Sequence, residues 1–185
     1  MNLFKIMSAA LLALVVAAPA SAVTITTDRN QPLFSGMMMA PSSNSANFRL
    51  NFQGSEYGAP APNSRTPWEE FTTGANLAAN GYYNSVEANG FARYDFQDVR
   101  NEFSIMWGSP DDYNRMSFFN GQTLVFSIDG DNSAITNTPG FVNQRKFVNV
   151  NISDITFDSV LLQSFGADAF EYANVGVPPI DNTPQ

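Results

Sequence analysis

Residues 114–130 read NRMSFFNGQTLVFSIDG, and this stretch decides the fold. Two apolar runs of strand length flank Asn120-Gly121, a dipeptide that readily takes the positive φ a tight hairpin requires. Leu124, Phe126 and Ile128 alternate with their neighbours, which places them on one face of an extended strand. The same period recurs at Val148, Val150 and Ile152, with Asn149 and Asn151 pointing the other way, as on a half-solvated antiparallel sheet.

Working outward from this hairpin, strand-like runs fall at 23–27, 33–39, 47–52, 91–96 and 102–107. Further runs follow at 114–119, 123–128, 146–152, 155–162 and 169–177. Asn89-Gly90 and Asp129-Gly130 supply additional turns. Short strands with frequent turn signals predict an all-β, single antiparallel β-sandwich, jelly-roll-like. Residues 53–89 interrupt the pattern with Pro60, Pro62 and Pro67 and read as one long irregular connection, with room for a short helix at 73–80.

The first 22 residues have a different character. Lys5 precedes the apolar run Ala9–Ala18, and Ala20-Ser21-Ala22 forms a small-x-small cleavage site. The expectation is a signal peptide over 1–22, a β-sandwich domain over 23–177 and a disordered tail over 178–185. The protein is then secreted, either extracellular or periplasmic. The apolar run is too short for a permanent anchor, so no membrane span is expected in the mature chain.

Composition narrows the chemistry. The chain of 185 residues has neither cysteine nor histidine, which removes disulfides, thiolate nucleophiles, zinc fingers and Ser-His-Asp catalysis. A net charge of −8 with nine scattered Lys and Arg offers nucleic acid no basic stripe. Any metal would be held by oxygen, which suits calcium.

Tyr94 to Gly130 also carries a pattern: Trp107-Gly108-Ser109, then Asp112-Tyr113-Asn114, then an apolar strand. Lys146–Asn151, Ile155–Asp158 and the closing Ala169–Val175 extend it. The pattern resembles the ectodomains of exosortase-dependent (PEP-CTERM-type) surface proteins of exopolysaccharide-making bacteria, over roughly the C-terminal half. Those proteins end in a Pro-Glu-Pro motif, an apolar helix and a basic tail, whereas this sequence closes at Gln185 without them. The resemblance therefore implies a secreted or periplasmic relative at the cell surface or in the biofilm matrix, and no particular activity.

Candidate site residues follow from side-chain chemistry. Trp107, Asp112 and Tyr113, with Trp68, Tyr82 and Tyr83, combine aromatic faces for sugar C–H groups with a carboxylate for sugar hydroxyls. The competing account is that Trp107 is core and the residues after it form a turn. Asp129, Asp131 and Asn132 space oxygens as a calcium loop begins, with Asp168 and Glu171 as further candidate ligands. The competing account there is an Asp-Gly turn. Glu69 and Glu70 are adjacent, so on a strand they face opposite ways and make a poor glycosidase pair. The expectation is a non-catalytic protein that contacts polysaccharide, the alternatives being self-association through sheet edges and, less favoured, glycan hydrolysis.

Overall fold

The structure, a computed structural model, describes residues 22–30, 43–44, 48–51, 67, 83–141, 146–167 and 169–177. Among the described residues nine strands join one antiparallel hydrogen-bonded sheet: β1 (Thr24–Asp28), β2 (Ser43–Asn44), β3 (Phe48–Asn51), β4 (Tyr83–Val86), β5 (Phe91–Trp107), β6 (Asn114–Asn120), β7 (Thr123–Asp129), β8 (Val148–Ser164) and β9 (Phe170–Gly176). The main path runs β3-β4-β9-β5-β8-β6-β7, with β1 added to β8 and β2 to β5. The chain is all-β, antiparallel and sandwich-like, as its alternation predicts.

Two pairs of expected strands prove to be single long ones. The runs at 91–96 and 102–107 are the two halves of β5, and those at 146–152 and 155–162 lie in or just before β8. β5 and β8 pair through both halves, but the register shifts between Asp95/Arg100 and again between Arg100/Glu102. Beside these shifts Asp154 takes φ 60°, a left-handed conformation that Asp tolerates better than β-branched residues. Strands bent at such irregularities pass from one layer to the next and make the corners of a sandwich. In one layer Ser159–Ser164 of β8 lies between β6 and the start of β5. In the other Asn149–Ser153 lies between β1 and the end of β5, with β9, β4 and β3 beyond.

Aromatic rings fill the space between the layers. Phe103 packs edge-on to Phe118 at 5.6 Å and to Phe157 at 6.4 Å, and Phe118 meets Phe157 at 5.2 Å. Edge-to-face contacts follow from the ring quadrupole and add about 0.5–1.5 kcal/mol each beyond buried area.

Several local expectations shift. The hairpin turns at Gly121-Gln122, one residue beyond Asn120-Gly121, because Asn120 pairs with Thr123 inside the ladder. Gly121 takes φ 59° and Gln122 stays out of the left-handed region, the glycine-first arrangement of a type II′ turn. A helix α1 (Ser133–Thr136), capped by Asn132, buries Ile135 in the core. It is not the short helix expected at 73–80, a segment outside the described residues, as is the run at 33–39. β4 falls inside the stretch read as irregular. Its buried Asn84 and Ser85 conceal a strand from any reading of apolar alternation. Among the described residues no helix is long and apolar enough to cross a membrane.

Candidate functional site

The turn after β5 shows what the residues of the Trp107–Asn114 pattern do. Trp107 is 0% exposed and stacks on Phe170 with centroids 4.5 Å apart and planes at 14°. Its faces are closed to a saccharide, which corrects its candidacy as a sugar platform and favours the core account. Gly108 donates its N–H to the carbonyl of Glu171 at 2.7 Å, and a Cβ added there would lie 2.9 Å from the Glu171 Cβ. Buried Asn114 donates its side-chain amide to the carbonyls of Ser109 at 3.1 Å and Ala169 at 3.0 Å. The turn is thus stapled to the start of β9 by main-chain and amide bonds.

Ser109 donates its hydroxyl to the carboxylate of buried Glu171, and Tyr113 donates to Asp111 Oδ2 at 2.8 Å. Burial, followed by the Asp111 carboxylate, pushes the Tyr113 hydroxyl well above its ordinary value. Asp112 is exposed beside it. Of the other aromatic candidates Tyr83 is buried in a small cluster with Met106, Phe147 and Ala173 and presents no open face. Trp68 and Tyr82 lie outside the described residues, as do Glu69, Glu70 and Asp168.

Among the described residues the candidate calcium ligands are engaged separately. Both oxygens of Asp129 accept from the Arg115 guanidinium, at 2.6 and 3.3 Å. Asn132 Oδ1 accepts from the Ala134 N–H as the cap of α1. Glu171 is engaged with Ser109, and Asp131 points to solvent. No cluster of three acidic side chains able to hold a metal occurs among the described residues. Among the described residues the Asp-Gly turn and helix cap account for this segment, and Asp168 lies outside them.

A different constellation forms on the outer face of the layer built by β1, β8, β5 and β9. Inward residues of β8 (Val148, Val150 and Ile152) join the core, so Asn149 and Asn151 face outward. Across the ladders Asn151 stands between Thr26 of β1 and Ser104 of β5, and Ser104 pairs in turn with Gly176 of β9. One step along, Asn149 stands between Asp28 and Met106. Neighbouring strands are about 5 Å apart and outward residues along one strand about 7 Å, so these side chains form a regular polar grid.

β9 completes the grid by breaking its own regularity. Ser104 pairs with Gly176 but Met106 with Ala173, so β9 carries one residue more than β5 between them. Asn174 takes φ 48° in this bulge, which returns Val175 to the core. Bulges re-aim side chains and recur beside functional sites. A Cβ at Gly176 would stand 2.4 Å from Ser104 Oγ, so glycine keeps the floor open. The result is a depression of about 410 Å³ lined by Thr26, Asp28, Ser104, Asn149, Asn151 and Asn174 among others.

Sequence reading missed these six residues as a site, although the outward alternation of Asn149 and Asn151 was its visible signal. Hydroxyls, amides and one carboxylate on a rigid sheet can exchange several hydrogen bonds with a hydroxylated ligand. Comparison with known proteins finds no matching family model, no matching curated protein and no matching solved structure.

Proposed function

We propose that this protein is a secreted, non-catalytic component of the cell surface or extracellular matrix that contacts polysaccharide through the polar depression. The observation that carries the reading is the grid itself: six polar side chains from four adjacent strands, with Asn174 turned by a bulge. Sites on strands hold their groups in fixed register, which lowers the ordering cost of binding. The leader-like N-terminus and the resemblance to exosortase-dependent surface proteins support the setting. The test is affinity electrophoresis through gels containing single polysaccharides. Retardation that disappears in Asn149→Ala/Asn151→Ala, with an unchanged circular dichroism spectrum, supports the reading. Retardation that survives the double substitution assigns the contact to another face.

A second reading has its own observation. β7 closes the strand path and exposes Leu124 (55%) and Val125 (39%). No charged residue occurs from Met116 to Ile128. Such an edge favours self-association, although the register shift at Phe118/Phe119 bends it. Sedimentation velocity over a range of concentrations decides: oligomers dispersed by Leu124→Lys support association through β7, and a monomer at every concentration removes it.

A further inference from the structure

Part of the hydrogen-bonding capacity of the grid is spent inside the protein. A side-chain amide nitrogen carries two N–H donors. Asn149 spends both inside the protein, donating at 2.8 Å to Asp28 Oδ1 and at 2.8 Å to the carbonyl of Asn30. The group it offers a ligand is therefore its carbonyl oxygen. Asn151 Oδ1 is buried at the wall of the depression and has no hydrogen-bond partner among the described residues. Asp28 is a carboxylate and can only accept. Its Oδ1 already takes bonds from Asn149 and from the Asn30 N–H at 2.8 Å. Ser104 directs its hydroxyl to the carbonyl of Gly176 at 3.4 Å.

The depression thus presents both acceptors and the side-chain amide and hydroxyl donors of Asn151, Asn174 and Thr26, and no Lys or Arg lines it. Arg29, the nearest cation in sequence, is turned to the carbonyl of Phe147 at 3.0 Å and lies over its ring at 4.9 Å. The one charge in the lining is negative, as is the net charge of −8.

We infer that the depression selects uncharged, hydroxyl-rich saccharides and rejects polyanionic ones; this rests on the reading of the depression as a glycan contact. A sugar hydroxyl both donates and accepts, so it can meet the Asn149 oxygen and the amides beside it without bringing charge. A uronate or sulfate adds a fixed negative charge that no cation in the lining balances and that Asp28 repels. Specificity then comes as much from the mispaired competitor as from the favoured ligand.

The experiment uses the same affinity gels with two sets of polymers. One set is neutral (an α-glucan, a β-glucan, a mannan and a galactan); the other is anionic (alginate and a sulfated galactan). The expected result is retardation by a neutral polymer, insensitive to salt, with anionic polymers roughly tenfold weaker or inert. Asn151→Leu removes the side-chain amide without changing charge, and the neutral polymer should then lose its effect. Thr26→Lys adds a cation at an exposed rim position and should bring alginate binding up. Melting curves of both variants report whether the fold survives.

Equal or stronger retardation of the wild-type chain by alginate overturns the inference while leaving the glycan reading in place. A neutral polymer that retards Asn151→Leu as strongly as the wild type overturns the assignment of the contact to this depression. Absence of retardation by every polymer in both sets removes the glycan reading and this inference together.

Discussion

The hydroxyl of Tyr94 on β5 donates to the hydroxyl of Tyr172 on β9 across 3.1 Å, and both side chains are buried. The rings meet edge-on at 6.4 Å, and Tyr94 also meets Phe103 at 6.4 Å. One polar contact is therefore set inside the aromatic packing that joins the two layers.

This contact predicts a non-additive mutant cycle. Tyr94→Phe or Tyr172→Phe alone strands one buried hydroxyl and should cost about 1–3 kcal/mol. The double change removes both partners together, leaves the ring packing in place and should cost less than the two single changes summed. Urea unfolding of the four proteins measures the coupling; strict additivity shows that the bond contributes nothing to stability.

The same pair sets an alkaline limit. Burial pushes both hydroxyls well above the ordinary tyrosine value, and for Tyr172 the neighbouring Tyr94 adds to the shift. A raised folded value means that the unfolded chain ionises first. Stability from these groups is complete below about pH 10 and is lost as pH rises beyond it. Phenolate absorbance should show Tyr94 and Tyr172 ionising only with loss of circular dichroism. Full titration of all tyrosines in a protein with its native spectrum would count against the buried pair.

The sequence made much of this fold legible, because alternation reports burial directly. Val148, Val150 and Ile152 face the core as their period predicts. What stayed hidden depends on groups brought together from distant parts of the chain. Trp107 looks the same to a sequence reader whether its ring faces a sugar or stacks on Phe170, 63 residues later. Asp129 followed by Gly130 suits a calcium loop until Arg115, across the hairpin, takes both carboxylate oxygens. The depression was harder still, since it needs the registers of four strands and a bulge that no local pattern encodes.

Gly130 illustrates a residue whose reason is not its turn. It does not take a positive φ, but a Cβ there would lie 2.3 Å from the Asp111 carbonyl oxygen and 2.4 Å from the Pro110 carbonyl carbon. Both are main-chain atoms of the stapled loop and cannot rotate away. Gly130→Ala should cost roughly 1–3 kcal/mol as an overpacked contact. Gly121→Ala meets nothing within 4 Å and suffers only from φ 59°, a penalty of about 1–2 kcal/mol. Second substitutions separate the two causes: Gly121→Asn should recover part of the loss, because Asn tolerates a positive φ better than Ala, whereas Gly130→Asn should be as damaging as Gly130→Ala. Thermal melts of the four variants give the ranking, and rescue at Gly130 by Asn would contradict the steric explanation.

Asn174 offers a way to separate site from scaffold. Its φ of 48° is left-handed, where glycine fits without penalty and a β-branched residue does not. Asn174→Gly should keep the bulge, keep Val175 in the core and remove one polar side chain from the depression. Its melting temperature should stay within a few degrees of the wild type, since an ordinary surface change is within about 0.5 kcal/mol. Polysaccharide affinity should nevertheless fall several-fold, about 1 kcal/mol for one hydrogen bond. Asn174→Val should lose stability and affinity together by straining the bulge. If Asn174→Gly binds polysaccharide as the wild type does, the bulge serves only to return β9 to register, and Asn174 drops out of the contact.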